Sequence, residues 1–498
     1  MKKLLALLIL VPSICFGAFT EFYCQSGGSN LNGGSDTNNT ATYTSTSGNW
    51  STSTFIFTPT DGSNPVTAGV TVGQWASLYL NAATTTVSTS RITAVTNAAN
   101  GTITVSSSAK AGTVPATGTG TVTIKVGGAW KGPNANDEWP LISTITFVSA
   151  TDSSGDRARI NMQNGSNYNV STAPNFGSSQ DTTVQGYSSS PGDGGKATID
   201  TQTNAVQALA STGQGSTFID LIFQTSQTTN TTLDLVTSAA TGVGFIRCVF
   251  HGAQGSGFNC STNIEYLWEC EAYANNKGNN AGRGGFAITA PIQAWYCFAH
   301  DNTGTNASGF VFAQSNEATL SNCIASNNGQ DGIGTGSGTI NPPFLIVINS
   351  DFYKNGRDGI HLVNGDSVAM QVVIQNCNFI KNTGAGINNT IAHTGGYAFN
   401  NGYGSGTMAN GSADSLKAIV SVGSVTYSSG LTPWFDPDHG DFRINLAAAN
   451  WAGRGAFTET SAALTAPNTV GYPDIGAAQS KTGPGGTFSK QVSHGSTQ

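Results

Sequence analysis

LSNCIASNNGQDGIGT (residues 320–335) and VINSDFYKNGRDGIHL (residues 347–362) are two copies of one pattern, 27 residues apart. Both copies carry Asn five residues after a Cys or Ser, and both then reach Asp-Gly-Ile. Four further copies align on the same position, so that the Cys or Ser column contains Cys248, Cys270, Cys297, Cys323, Ser350 and Cys377. Successive members of this column are 22 to 27 residues apart. A repeat of this length indicates a solenoid in which each copy forms one coil.

The repeats predict short parallel strands rather than helices. No copy contains ten or more helix-forming residues with a 3.6-residue period, whereas each shows two-residue alternation such as Cys377-Asn378-Phe379. In a parallel stack, equivalent residues of successive coils lie about 4.8 Å apart, so the Cys column becomes an internal ladder. The Asn column becomes a corner ladder whose amides hydrogen-bond along the stack. Its members are Asn275, Asn302, Asn328, Asn355 and Asn382.

The repeat resembles that of the right-handed parallel β-helix proteins with the pectin-lyase fold. Their coils commonly read N-C-x-F-x-x-N followed by D-G-I. Here Asn376-Cys377-Asn378-Phe379 leads to Asn382, and Asp331-Gly332-Ile333 and Asp358-Gly359-Ile360 supply the second element. The resemblance implies an all-β chain whose right-handed solenoid spans residues 131–425. It does not imply one activity, because this architecture hosts lyases, hydrolases, adhesins and phage spikes.

The segments outside the solenoid predict an exported protein with an N-terminal cap. Residues 1–17 combine two lysines with an apolar run and a small-residue end, which is typical of a secretory signal peptide. Strand-like runs predict that residues 18–130 form a small all-β cap. Residues 426–480 are expected to add C-terminal coils, and residues 481–498 a disordered polar tail. Since no later apolar run is long enough to span a membrane, we expect a secreted or cell-surface protein.

The charge composition argues against a nucleic-acid partner. Only 9% of the residues are charged, and the formal net charge is -7. Binding to phosphates needs a stripe of basic residues, and the Lys and Arg residues form none. The surface is therefore expected to consist mainly of Ser, Thr, Asn and Gly.

The cysteines are expected to be packing residues. Seven remain once residues 1–17 are removed, and five of these belong to the Cys column. Stacked side chains in one ladder point in parallel, which disfavours the torsion of about 90° that a disulfide requires. We therefore expect five buried, reduced thiols. The sequence leaves open whether Cys24 and Cys260 pair.

Four aromatic residues predict a carbohydrate-binding surface. If the Cys column and the apolar position three residues earlier both point inward, the two residues between them lie at an outward corner. This places Trp268 next to Trp295 and Tyr296 of the following coil, with Tyr266 nearby. Exposed aromatic faces suit the C–H faces of sugar rings. The alternative is that a long loop folds over the rings and makes a satellite core.

Glutamates near these aromatics are candidates for an acid and base pair. Glu265, Glu269 and Glu271 lie within one coil, and the carboxyl separations that glycosidases use are all available on rungs about 4.8 Å apart. Spacing alone therefore discriminates poorly. The alternative reading is solvated surface charge.

A second constellation comprises Lys354, Arg357, Asp358 and His361, with Asp331 one coil earlier. Stacked Asp331 and Asp358 could bind Ca²⁺, and a nearby Lys or Arg could then act as the base of a polysaccharide lyase. The alternative is that each Asp begins a turn before Gly, because two carboxylates make a thin calcium site. The recurrent motifs of pectate lyases and polygalacturonases are absent.

The sequence therefore favours an exported binding or structural module that contacts polysaccharide or a cell-surface glycan and has no resident cofactor. One alternative is a polysaccharide lyase or glycoside hydrolase. Another is a virion or cell-surface fibre in which the solenoid is mainly a stiff spacer.

Overall fold

The structure, a computed structural model, describes residues 19–131 and 157–444. Within these ranges it leaves out residues 26, 30, 82, 112–114, 166, 175–181, 211–212, 262–264, 313–316, 336–343, 363–369, 390–392, 400, 405–406, 412–424, 427–433 and 440. Apart from the 3-10 turn Pro437–His439, the regular structure of the described residues is β-strand. The chain divides into two compact units, the first comprising residues 1–132, 139–162 and 178–184 and the second residues 133–138, 163–177 and 185–498.

An antiparallel sheet of seven strands forms most of the first unit. In spatial order its strands are Tyr43–Ser45, Val122–Val126, Trp75–Leu80, Ala83–Val95, Ile103–Ala111, Ile56–Pro59 and Gly48–Ser51. Its core is apolar, with Phe57, Leu78 and Ile124 fully buried. Outside this sheet, Phe19–Cys24 pairs in parallel with Arg157–Gln163.

Three parallel sheets form the second unit, and the coils between Thr217 and Gly411 each contribute one strand to each sheet. The strands of the first sheet are Thr217–Ile219, Val243–Ile246, Glu265–Trp268, Ile292–Trp295, Ala318–Ser321, Phe344–Ile348, Met370–Gln375 and His393–Phe399. The strands of the second sheet are Tyr168–Asn169, Ala197–Asp200, Leu221–Gln224, Val249–His251, Glu271–Tyr273, Phe298–His300, Ile324–Ser326, Asp351–Tyr353, Asn378–Ile380, Gly402–Gly404 and Val425–Thr426. The strands of the third sheet are Val236–Ser238, Phe258–Cys260, Arg283–Ile288, Ala307–Phe312, Ile333–Thr335, Ile360–Leu362, Ala385–Asn389 and Thr407–Gly411.

Two further pieces complete the described strands. Thr183–Tyr187 is a further strand of five residues. Trp434–Asp436 pairs antiparallel with Asp441–Ile444, and the two form the C-terminal hairpin. The expected solenoid is thereby confirmed as an all-β parallel β-helix accompanied by an antiparallel N-terminal sheet.

The interior of the helix follows from the register of the coils. Leu267, Ala294 and Leu320 pair directly in neighbouring strands of the first sheet, and all three are fully buried. Phe352 pairs with Phe379, and their rings stack with centroids 5.1 Å apart. The apolar columns of the repeat are therefore the core of this unit.

A left-handed corner joins the first sheet to the second sheet in seven successive coils. Its residues share positive φ values between 49° and 56°, and they are Asp220, Arg247, Glu269, Tyr296, Asn322, Asn349 and Asn376. This conformation is costly for residues other than Gly, so the neighbouring structure must hold it. The Cys column contributes: the Cys270 thiol donates to the carbonyls of Trp268 (3.5 Å) and Phe245 (3.3 Å). The cysteines are thus buried hydrogen-bond donors at the corner as well as packing residues, and no disulfide joins any of the seven described.

The Asn column forms the predicted ladder at the following corner. The Asn355 amide donates to the Asn382 side-chain oxygen (2.9 Å) and to the Ala325 carbonyl (3.1 Å), while the Asn328 amide donates to Asn355 (3.0 Å). All five members are buried. Buried amides with satisfied hydrogen bonds fix the register from coil to coil.

Several expectations concern residues outside the described ranges. The signal peptide at residues 1–17 and the tail at residues 481–498 both lie there, as do residues 445–480 of the expected C-terminal coils. Among the described residues, no helix is long and apolar enough to cross a membrane.

Candidate functional site

Aromatic side chains gather on the outer face of the first sheet. Strand Glu265–Trp268 alternates between buried and exposed residues, which directs Tyr266 and Trp268 outward. Trp268 pairs in register with Trp295 of the next coil. Tyr266 is 40% exposed and Trp268 is 42% exposed. Among the large apolar residues described, only Val72 is also classed as exposed. We call Tyr266, Trp268, Trp295 and Tyr296 the aromatic patch.

The rings of the aromatic patch contact one another across two coils. The Tyr266 and Trp295 rings are parallel within 3°, with centroids 6.3 Å apart. The centroid of the Trp268 ring lies 5.8 Å from that of Trp295 and 5.3 Å from that of Tyr296. Tyr296 reaches Trp268 because it occupies the left-handed corner, with a φ of 56°. The four residues therefore form one surface rather than four isolated side chains.

No loop of the described chain covers Tyr266 and Trp268 as the alternative would require, since each side chain keeps about two fifths of its surface exposed. A satellite core exists elsewhere, on the outer face of the second sheet. There the C-terminal hairpin covers an apolar group, and the whole buried cluster is Phe298, Ile324, Tyr353, Ile380, Trp434 and Phe442. Large outward side chains are thus covered on one face and open on the other.

Burial separates Glu265 from the other two glutamates of the same coil. Glu265 points into the solenoid and is fully buried, and this burial raises its pKa to about 8 although the Ser238 hydroxyl and the Cys260 thiol act to lower it. Glu269 occupies the left-handed corner, and Glu271 begins a strand of the second sheet. Glu265 is therefore not available to an acid and base pair on the outer surface.

Glu271 instead forms a hydrogen bond with His300, which the sequence motifs did not predict as a site residue. Its carboxylate accepts a hydrogen bond from His300 Nε2 (2.9 Å), while His300 Nδ1 donates to Asp301 (2.7 Å). Carboxylates only accept, so a doubly protonated imidazolium satisfies both contacts. Burial lowers the pKa of His300, but the hydrogen bonds with Asp301 and Glu271 outweigh it and leave that pKa above its ordinary value.

His300 belongs to a stack of rings that runs along the outer face of the second sheet. The Tyr273 ring lies 4.8 Å from His251 and 5.2 Å from His300, and both pairs are close to parallel. Each of these three residues comes three positions after a member of the Cys column. Reading that column in the repeat would have placed them side by side.

The predicted cluster on the third sheet is assembled in part. The Arg357 guanidinium donates to both oxygens of Asp331, at 2.8 and 2.5 Å. His361 Nδ1 donates to Asp358 at 2.5 Å, and Asn388 donates to the same oxygen at 3.0 Å. Burial raises the pKa of Asp358, but the hydrogen bonds from His361, Asn388 and a backbone N–H outweigh it, so the net pKa is lowered.

Lys354 lies apart from this cluster. It occupies a left-handed position after strand Asp351–Tyr353, and its ammonium group donates to Asp438 of the C-terminal segment at 2.8 Å. Tyr353 donates to the same carboxylate oxygen at 3.2 Å. Lys354 therefore fastens the hairpin rather than joining Arg357 as a base.

Ligand atoms of Asp331, Asp358 and His361 lie within 4.8 Å of one another, which is close enough for one metal ion. However, the two oxygens of Asp331 are engaged by the Arg357 fork, and Asp358 accepts a backbone N–H of the next coil at Ala385 (2.6 Å). These contacts use the oxygens that Ca²⁺ would need, and Arg357 repels a cation. The residues do not fit a calcium site.

The same corner arrangement recurs where no metal site was predicted. Asp234 accepts the backbone N–H of Ser256 (2.7 Å) and the Arg283 guanidinium (2.5 Å), as Asp331 accepts the N–H of Asp358 and the side chain of Arg357. Recurrence indicates that this Asp caps the next coil. The turn-forming alternative is thus the better description of Asp331 and Asp358.

No family model and no curated protein matches the chain. Among solved structures, the chain is similar to pectate lyase Pel9A, with a TM-score of 0.46 and 16% identity over 65% of this chain and 88% of that one. It is also similar to the Gp54 tailspike of Acinetobacter baumannii bacteriophage AP22 in complex with A. baumannii capsular saccharide, with a TM-score of 0.24 and 10% identity over 83% and 70% of the two chains. A structure described as a glycoside hydrolase has a TM-score of 0.20 and 10% identity, covering 75% of each chain. At such low values these structures share architecture at most, and nothing about activity follows from them.

Proposed function

We propose that this protein is a surface module that binds carbohydrate through the aromatic patch. The observation that supports this most is the exposure of Tyr266 and Trp268 in a cluster of four rings. Large contiguous apolar groups are seldom left open on a soluble protein without a binding role. Sugar rings present C–H faces to an aromatic ring, while their hydroxyls bond to water and to nearby amides and hydroxyls. The parallel β-helix then serves as a stiff scaffold that holds the rings in fixed register.

Affinity electrophoresis in gels that contain single polysaccharides tests this proposal. Trp268→Ala and Trp295→Ala should each weaken retention by roughly threefold to tenfold, as expected for the loss of about 0.5 to 1.5 kcal/mol of ring contact. Ile348→Ala is the matched control, since Ile348 lies in the same outward column two coils beyond Trp295. Equal retention of all variants, or no retention of the wild type on any polysaccharide, would contradict the proposal.

Contact with polysaccharide outside the cell requires export, which we propose is directed by residues 1–17. N-terminal sequencing of protein recovered from the culture medium should begin at Ala18. Recovery only from the cell interior with Met1 intact would contradict this part of the proposal.

One arrangement favours an acid–base enzyme as a second candidate function. Glu271 and Asp301 flank His300, and hydrogen-bonded groups of this kind can exchange protons with a bound substrate. Release of reducing ends or of unsaturated products from a polysaccharide, lost in Glu271→Gln and His300→Gln, would favour the enzyme. Retention in the gel without turnover favours the binding module, and Glu317→Gln is the control for loss of one surface carboxylate.

A further inference from the structure

The outer face of the first sheet carries no charge along seven coils. Two outward columns run through the strands from Thr217–Ile219 to Met370–Gln375. One column is Thr217, Gly244, Tyr266, Gln293, Thr319, Ile346 and Val373, and the other is Ile219, Ile246, Trp268, Trp295, Ser321, Ile348 and Gln375. None of these residues is acidic, basic or histidine. With coils about 4.8 Å apart, this uncharged face is roughly 30 Å long.

The charged residues beside this face lie at its two margins. At one margin Arg247 is bound by both oxygens of Asp220, at 2.7 and 2.6 Å, and Glu269 follows it at the same corner. At the other margin Glu317 is exposed immediately before strand Ala318–Ser321. The formal net charge of these four residues is -2, from one Arg, one Asp and two Glu. Arg247 is the one basic residue among these four, and Asp220 pairs it, so none of them offers a free cation to the aromatic patch.

Polar groups that are neutral continue the patch along the stack. Gln293 is exposed and pairs directly with Tyr266, and Thr319 follows it in the next coil. Before Tyr266 stands Gly244, where an added Cβ would meet only the Thr217 side chain at 3.7 Å or more. On one side of Tyr266 the surface therefore has no side chain, at Gly244. On the other side it presents the amide of Gln293 and the hydroxyl of Thr319. This suits a chain of sugar rings that passes over Tyr266 from coil to coil.

Resting on the proposed function, we infer that the ligand is a neutral polysaccharide, which lies along the stack of coils over the aromatic patch, Gln293 and Thr319. A uronate or sulfate group would lose water on this surface and find no cation to replace it. A neutral sugar loses less, because its hydroxyls can bond to Gln293, to Thr319 and to bridging water. Binding should therefore change little with salt concentration, unlike the binding of a polyanion.

The test compares wild-type retention by a neutral β-glucan, a neutral galactomannan, polygalacturonate and dextran sulfate, each in low and in high salt. We expect retention by at least one neutral polymer with little effect of salt, and none by the two polyanions. Stronger retention by a polyanion, lost in high salt, would overturn the inference about charge while leaving carbohydrate binding in place. Retention by none of the four would overturn both.

Gln293→Lys sharpens this test by adding the missing cation beside Tyr266 and Trp295. Gln293 is exposed, so the substitution should leave the fold intact, as circular dichroism and the unfolding midpoint will verify. We expect severalfold stronger, salt-sensitive retention by polygalacturonate and weaker retention by the neutral polymer, because the Gln293 amide is lost. Gln375→Lys, in the last coil of the face, is the matched control and should gain little. Equal gains in both variants would show that the cation acts through overall charge and would overturn the assigned path.

Discussion

The outer faces of the first and second sheets are built from the same coils, yet they differ in what covers them. The first face exposes the aromatic patch and carries no charge between its margins. The second face contains His251, Glu271 and His300, and its apolar part lies under the C-terminal hairpin. Outward aromatic residues are therefore not exposed by necessity in this fold. The open patch is a feature of the first face in particular, which is why we assign binding to it.

The comparison depends first on which residues point inward. Phe352→Ala should cost roughly 3 to 5 kcal/mol, because Phe352 is fully buried and stacks on Phe379. The outward Ile348→Ala should cost far less, since Ile348 is only partly buried. Urea unfolding monitored by circular dichroism measures both. Similar costs for the two variants would break the assignment of inner and outer faces.

A buried carboxyl lies directly beneath the open face. The pKa of Glu265 is raised from 4.5 to about 8 by burial, so the folded state binds a proton more tightly than the unfolded state. The contribution of Glu265 to stability is therefore greatest below pH 4.5 and is lost as the pH rises to about 8, by about 5 kcal/mol in order of magnitude. In Glu265→Gln this decline should shrink, whereas the exposed Glu317→Gln should keep it. Unfolding midpoints across this pH range that fall equally in all three proteins would contradict the burial of Glu265.

A Trp→Ala substitution on each outer face tests whether the second face is covered and the first face is open. Trp434→Ala should cost about 2 to 3 kcal/mol, less than in a deep core because the hairpin can detach. Trp268→Ala should change the free energy of unfolding by only about 0.5 kcal/mol, because Trp268 is 42% exposed. Hydrogen exchange should report faster exchange in residues 434–444 of Trp434→Ala alone. Faster exchange there in Trp268→Ala would mean that the two faces are not independent.

The charges of the second face should give it a pH dependence that the first face lacks. Because the pKa of His300 is raised above 6.5, its contribution to stability is present below pH 6.5 and is lost as the pH rises through the folded-state value. We expect a loss of about 1 to 2 kcal/mol that is absent in His300→Gln. Glycan retention should stay constant over the same range, since the two outward columns of the first face contain no Asp, Glu, His, Lys or Arg. A retention that follows the titration of His300 would move the site to the second face.

The repeat predicts the interior and the corners because a parallel stack makes equivalent residues neighbours. The Cys and Asn columns are buried ladders for this reason, and Trp268 meets Trp295 in register. The stacking of His300 on Tyr273 could have been predicted in the same way, because each residue lies three positions after a member of the Cys column.

Other features could not be read from the repeat. The hairpin reaches Tyr353 from Asp438, 85 residues along the chain, and its residues share no period with the coils. Glu265 occupies an inward position that other coils fill with Val243 and Ile292, so its burial depends on the register of its strand rather than on its type. The pairing of the Arg357 guanidinium with both oxygens of Asp331 depends on side-chain geometry, which the spacing of residues in the sequence does not specify.

The most direct measurement is hydroxyl-radical footprinting of the wild-type protein with and without a retained neutral polysaccharide. We expect protection of Tyr266, Trp268 and Trp295, while the buried Trp434 and Trp50 stay unreactive in both states. Protection that falls instead on Tyr273 and the second face, or a polysaccharide that binds without protecting Trp268, would contradict the claim that the open aromatic patch is the binding surface.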